Sequence, residues 1–448
     1  MNRKGAYPLR RAVGRREAAL TVVVGLLIAG LAVYSSLAPG SNLPPQSSST
    51  SSPTFPSSTI SLGFLTELTA GGEPNGYAAR IGAELAVNET NSSGGVVGRT
   101  INLIVLDSGT NPSTALQQAK LLDQQGVLAL TGPTDPHDAI AVSAYAEAHG
   151  VPFLASAVQS GALIPPDSNW TLALQPDPVQ MGAALAKYVA QVVPSPKIAL
   201  MTQNAVTQKE MAGGVRWFAG TYNNETIVFD QVFSNAQFPW ATPAAAAKFS
   251  GANAVVVSWL PTVGFAEENV IAALLSAGFS QDQIFVVYAT DQVSDLGTNA
   301  TGIRGATLFD GAMAQGNVSA FVNRVEPFIK GQADPFIPYC GVCPTEVGSN
   351  YYYSYLGMKL MINAIKTVLT SGQTLTRADF FSALKQTSTK DVFGSGLRFD
   401  SNGSAVGRYY LVSVGQPNPD GSTYALDLIK DTGFAPGAVP TNDISRHA

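Results

Sequence analysis

"INLIVLDSGTNPSTALQQAKLLDQQGVLALTG", residues 101–132, decides the fold. It opens on an apolar run, INLIVLD (101–107), and closes on another, VLALTG (127–132). Between them Leu116, Ala119 and Leu122 recur at helical spacing. Apolar runs suit strands buried on both faces, and the helical stripe suits a helix lying across them. Asn111-Pro112 marks the helix start, because Asn can accept from the first free amides and Pro is at ease in the first turn. Two strands joined through a helix run parallel.

The same unit recurs outward. TISLGFL (59–65) comes before it with a helical stripe at Tyr77, Ile81 and Leu85, and VPFLAS (151–156) follows. The alternation resumes at KIALMT (197–202), AVVVSW (254–259) and IFVVYA (284–289). Asp135-Pro136 and Asp177-Pro178 repeat the helix-start signal. About ten such units overfill one ordinary open sheet. The reading is therefore an α/β protein with two doubly wound parallel-sheet lobes and a break near LALQPDP (172–178). Ligands of open α/β sheets bind past the carboxyl ends of the strands, so two facing lobes would enclose a cleft there.

The flanks are of another kind. Arg3, Lys4, Arg10, Arg11, Arg15 and Arg16 form a basic segment within residues 1–17, ahead of an apolar run at 18–38. That run is long enough for a transmembrane helix, and the basic residues place the N-terminus in the cytoplasm and the body outside. A retained anchor is the first reading; Ser36-Leu37-Ala38 allows a cleaved signal and a secreted body. Residues 39–58, rich in Ser, Thr and Pro, read as a stalk. Without those six cations and Glu17, 20 Lys and Arg face 30 Asp and Glu. Such an acidic body argues against a nucleic acid partner. Asn-x-Ser/Thr sequons at Asn88, Asn91, Asn169, Asn224, Asn299, Asn317 and Asn402 suggest a glycoprotein, with loop composition as the plainer account.

Signals for chemistry are sparse. No nucleotide-binding glycine loop, H-E-x-x-H or G-x-S-x-G occurs, and Ser382-x-x-Lys385 lacks its companion motifs. No cofactor is implied. His447 lies in the tail (433–448), and His149 closes a helix before Gly150. Asp135, His137 and Asp138 are read first as a capping box, Asp138 reaching back to the Asp135 amide; use of all three by a hydrolase is the rival. Cys340-Gly-Val-Cys343 has no second pair for zinc, so a structural disulfide is expected outside the cell. Tyr351–Tyr355 opens a helix read as core before ligand contact. Trp259, Tyr288 and Asp291 lie near strand carboxyl ends, where a cleft would be.

GAELAVNETNSSGGVVGRTINLIVLDSGTNPSTALQQAKLL (82–122) resembles the first lobe of substrate-binding proteins of the branched-chain amino acid ABC transporter type. The matching features are Gly82 to Val87, Asn91, Gly94 to Gly98, and Asp107. LALTGPTDPHDAIAVSAYAEAHGVPFLASA (128–157) continues it, and KYVAQVVPSPKIALM (187–201) and NVIAALLSAGF (269–279) are similar to the second lobe. The resemblance spans about 59–430 in that order. It implies a Venus-flytrap: two lobes joined by three crossing strands near 175, 305 and 402. Lobe 1 would be 59–175 with 306–401, and lobe 2 176–305 with 402–432.

By the same resemblance the protein is not an enzyme but an extracellular receptor that hands a small solute to an ABC transporter permease; a ligand-binding ectodomain of a signalling system is the alternative. The implied contacts are the loop after LALTG, with His137 and Asp138 where the family carries Ser or Thr, and SAVQS (156–160), with Ser156, Ala157 and Gln159. Thr207 stands where a Tyr is expected, Asn75 replaces a common aromatic, and Asp291 falls near the family's ammonium-binding acid. An acid near the first loop would repel a ligand carboxylate, which opens amides, polyamine-like solutes, peptides and sugars beside amino acids.

Overall fold

The computed structural model describes residue 55 and residues 58–165, 168–222, 226–234, 240–259, 267–287, 299–313, 316–329, 347–392, 396–406, 409–417 and 424–432. The expected N-terminal segments, Tyr288, Asp291, Asn224, Cys340, Cys343 and the tail lie outside them. Among the described residues no helix is long and apolar enough to cross a membrane.

The first sheet has the order β2-β1-β3-β4-β5, with β1 at Thr59–Thr66, β2 at Thr100–Asp107, β3 at Leu130–Thr131, β4 at Phe153–Ala155 and β5 at Thr171–Ala173. All its pairings are parallel. Its crossover helices are α1 (Glu73–Ser92), α2 (Pro112–Gln124) and α3 (Pro136–His149). The Asn-Pro and Asp-Pro starts behave as their residue types predict. Asn111 accepts from the Ser113 and Thr114 amides, and Asp135 from those of His137 and Asp138. His149 ends α3 with its ring stacked on Tyr145, before Gly150 in the left-handed region.

The second sheet has seven strands, ordered β15-β14-β10-β9-β8-β6-β7. Strands β6 (Lys197–Gln203), β7 (Thr226–Phe233), β8 (Ala254–Ser258), β9 (Ile284–Val287) and β10 (Arg304–Thr307) are parallel. Here the all-parallel expectation needs correction. β14 (Tyr409–Pro417) runs antiparallel to β10, and β15 (Tyr424–Thr432) antiparallel to β14. Only a short stretch joins β14 to β15, and a short link permits only antiparallel pairing. Around this sheet lie α4 (Pro178–Val192), α5 (Val206–Tyr222), α6 (Ala241–Phe249) and α7 (Glu267–Ser276). A small antiparallel sheet is formed by β11 (Thr389–Lys390), β12 (Gly396–Phe399) and β13 (Ala405–Val406).

The chain passes from the first sheet to α4 and the second sheet after Ala173. It returns after Thr307 through α8 (Gly316–Ile329), α9 (Ser349–Thr370) and α10 (Arg377–Gln386), and crosses again between β13 and β14. The first and last passages lie side by side, since the Ala173 amide donates to the Gly403 carbonyl at 3.0 Å. Helix α9 brings the tyrosine run onto α1. Tyr351, Tyr352 and Tyr353 are buried, and the Tyr352 ring stacks on Phe309, so the run serves the core. Gly82 makes that approach possible: a Cβ there would lie 2.1 Å from the Tyr351 carbonyl oxygen. This explains on packing grounds the glycine that opens the G-A-x-L-A-V stretch.

The body begins before the expected end of the stalk. The Phe55 amide donates to the Leu375 carbonyl, and Arg99 Nη1 donates to the Phe55 carbonyl at 2.8 Å.

Candidate functional site

The parallel strands point their carboxyl ends into two sets of loops. In the first lobe these are the segments after β1, β2, β3 and β4. At the β3 end Gly132 has φ +76°, and a Cβ there would meet the Leu65 carbonyl oxygen at 1.9 Å, so only glycine fits the turn into α3.

Glu67, immediately past β1, organises this edge. Its carboxylate accepts from the Thr134 amide at 3.0 Å, the Thr134 hydroxyl at 2.7 Å and the Asp135 amide at 2.9 Å. Burial holds its carboxyl above the usual range, against those three donors. Glu67 belongs to no motif in the sequence; its only signal there is an acid directly after a buried strand.

The capping-box expectation is half right. Asp135 caps α3, but its amide is taken by Glu67 and not by Asp138. Asp138 is fully buried; the Ser108 hydroxyl and the Asn111 amide face it, but neither closes into a well-formed hydrogen bond on its oxygens. Burial, reinforced by the charges of Asp135 and Glu67, pushes its carboxyl up to about 7. His137 is exposed. The three residues of the hydrolase rival thus sit in three different settings: a cap, the surface and the interior. Among the described residues no three His, Cys, Asp or Glu side chains stand close enough to hold a metal ion.

The loop after β4 carries the remaining first-lobe residues. Ser156 is buried, its hydroxyl 3.2 Å from that of Thr131 and its Cβ close against Gly357 of α9. Ala157 is buried beside it. Gln159 turns toward the second lobe. Its Nε2 donates to the Pro176 carbonyl at 2.6 Å, and its backbone carbonyl accepts from the Thr207 hydroxyl at 2.8 Å. Of the predicted residues, Gln159 and Thr207 are therefore brought into direct contact across the lobes.

One turn along α5, Glu210 extends the same seam. Its carboxylate accepts from the Ser160 hydroxyl at 3.2 Å and the Gly161 amide at 3.1 Å. Burial, and secondarily the charge of Asp177, push it up to about 7. Asp177, which caps α4 through the Val179 amide, is itself pushed up to about 6 by burial. The Tyr409 hydroxyl donates to the Asp177 carbonyl. No motif marks Glu210 in the sequence; its only signal is a spacing of three from Thr207, which puts both on one face of a helix.

Two predicted residues have other surroundings. Trp259 is buried and packs edge-on against Trp240, with ring centroids 5.0 Å apart, as part of an aromatic cluster with Phe233. An aromatic gains most where its whole surface is buried, and this packing fills the interior. Asn75 is exposed, and its Oδ1 accepts from Asn350 Nδ2 at 3.0 Å.

The sequons differ in kind. Asn169, Asn299, Asn317 and Asn402 are exposed and Asn88 is half-buried. The Asn91 amide is engaged on both sides: Nδ2 donates to the Ile101 carbonyl and Oδ1 accepts from the Ile101 amide. Asn91 thereby ties the end of α1 to the start of β2, a bond that a glycan on Nδ2 would displace.

The family model described as "Periplasmic binding protein" matches residues 59–421. No curated protein matches the sequence. Solved structures of similar fold include an ABC transporter substrate-binding protein from Sphaerobacter thermophilus, 18% identical, with a TM-score of 0.68 over 84% of this chain and 98% of that one. A solute binding protein of an ABC transporter from Rhodopseudomonas palustris BisB5, in complex with 3,4-dihydroxybenzoic acid, is 18% identical, with a TM-score of 0.69 over 86% and 100%. A leucine binding protein from Thermotoga maritima MSB8 is 15% identical, with a TM-score of 0.63 over 84% and 99%. At these identities the likeness concerns the fold.

Proposed function

This chain belongs to the periplasmic binding protein family, and we propose from that premise that it captures a small polar solute between its two lobes and delivers it to an ABC permease. The observation that carries the reading is the Thr207–Gln159 contact. It sets a first-lobe loop of the expected solute site against the first turn of a second-lobe helix, where closure around a solute would bring the lobes together. Capture of this kind requires the solute to favour the closed arrangement through contacts to both sides.

The solute class follows from the first-lobe edge. Glu67 and Asp138 place two carboxyl groups beside the α3 start, which disfavours a solute carboxylate there. A solute that turns an ammonium or amide N–H toward this edge, as an amino acid, amide or peptide can, suits it better than a simple acid, which has only its carboxylate to offer. Three similar structures hold 3,4-dihydroxybenzoic acid, 4-hydroxybenzoate and benzoate, so these acids are the informative competitors. The apolar run at 18–38 would tether the body to the outer face of the membrane, its length and basic flank being the support.

The test is a thermal-shift screen of the purified chain against amino acids, amides, short peptides, sugars and these three benzoates. A rise in melting temperature with an amino acid, amide or peptide, reduced by T207V, which removes the donor to the Gln159 backbone carbonyl, is expected. A response to benzoates alone would overturn the solute class, and no response across the panel would overturn the capture reading.

A further inference from the structure

The seam between the lobes is held by a carboxyl group that has no cationic partner. Glu210 rises from α5 in the second lobe and accepts from the Ser160 hydroxyl and Gly161 amide of the first. It is 4% exposed. Among the described residues no Lys or Arg pairs with it, its neighbour Lys209 included. The described groups that act on it are of its own sign or neutral. From the α4 start comes Asp177, which in turn feels Asp400 after β12. The third passage brings the Tyr409 hydroxyl, bonded to the Asp177 carbonyl. The 160–162 loop brings amides and one hydroxyl, and Ser160 Oγ also accepts from the Ala162 amide at 3.1 Å.

We propose that Glu210 is a positioning residue for solute capture, a proton-sensitive latch that holds the 156–162 loop of the first lobe from the second. The loop is the one that carries Ser156, Ala157 and Gln159, so the proposal rests on the capture reading for its link to solute. Either form of the carboxyl can accept from Gly161. The neutral form does so without a buried, unpaired charge beside Asp177. When the latch opens, water reaches Glu210 and its carboxyl returns toward the ordinary value. The latched state therefore binds the proton more tightly than the open one. Its population is greatest in acid and falls as pH rises from the ordinary carboxyl range through about 7. By linkage, any solute that needs the loop in place binds more tightly at lower pH.

Amide hydrogen exchange on the full chain, read on peptides covering 157–163 and expressed as protection over the chemical rate at each pH, tests this without a solute. In the native protein, protection should fall roughly tenfold or more between about pH 5.5 and pH 8, since each unit of pKa shift is a factor of ten. E210Q, which keeps an acceptor for Gly161 and carries no charge, should hold high protection at every pH. E210A should show low protection throughout. Protection in the native chain that does not change with pH, or an E210Q profile that tracks the native one, overturns the latch. The two readings fail separately. A solute hit with pH-independent protection sinks the latch alone, and pH-dependent protection with no hit across the panel sinks the capture reading alone.

Discussion

The backbone amide of Asp135 donates to the Glu67 carboxylate at 2.9 Å. These residues stand at the ends of β3 and β1, so one acid after the first strand sets where α3 begins. Glu67 also takes both donors of Thr134. Replacing it with Leu strands three donors at a buried edge. E67L should lose about 3 kcal/mol in denaturant unfolding, as two to three unsatisfied buried groups cost. A loss below about 1 kcal/mol would mean that water serves these groups equally well.

Asp138 is a buried carboxyl with no cationic partner and no close hydrogen bond among the described residues, and its ionisation should destabilise the fold as pH rises toward neutrality. Its folded-state pKa is raised, so the unfolded chain releases its proton first. The native protein should lose stability as pH climbs from about 4 through about 7, with no further loss from this group above that. D138N keeps the shape and removes the charge. Its melting temperature should exceed the native value by a margin that grows over this range; a constant margin would show that Asp138 does not titrate there.

The α1–α9 contact leaves no room at Gly82. G82A should cost about 3 kcal/mol, because the new carbon meets a backbone carbonyl that cannot rotate away. The measurement is the midpoint of chemical unfolding, and an unchanged midpoint would mean that the helices separate freely.

Asn91 should carry no glycan. Expressed in a glycosylating host and mapped by mass spectrometry, any occupancy is expected at exposed sites such as Asn317 and Asn402 and absent from Asn91. N91A should destabilise by about 2 kcal/mol through the two lost bonds to Ile101. Full occupancy at Asn91 in a folded protein would contradict the clamp.

The Thr207 hydroxyl is a direct tie between the lobes. T207V keeps the shape and leaves the Gln159 carbonyl without that donor. It should weaken the best hit of the solute screen by roughly tenfold, the equivalent of one lost hydrogen bond, as read by calorimetric titration. An unchanged affinity would place the solute away from this seam.

Much of the molecule was legible in local order. Unbroken apolar runs spaced by helical stripes specify parallel strands and crossover helices, because each is a statement about neighbours in the chain. The same holds for the caps at Asn111, Asp135 and Asp177, whose acceptors lie two or three residues from their donors. Burial of Tyr351–Tyr353 followed from the cost of leaving aromatics wet.

What the sequence could not decide were pairings between residues far apart. Asp138 next to Asp135 looks like a capping pair, yet Glu67, 68 residues away, takes the amide that Asp138 was expected to satisfy. Trp259 stands at a strand end in the sequence, and its packing against Trp240, nineteen residues upstream, is not legible there. Glu210 looks like one more solvated acid on a helix until Ser160 and Gly161, some fifty residues upstream, close over it. Local spacing determined which elements form and where they start. Only the tertiary structure decided which carboxyl groups lose their water and what they hold, because desolvation depends on what folds over a side chain.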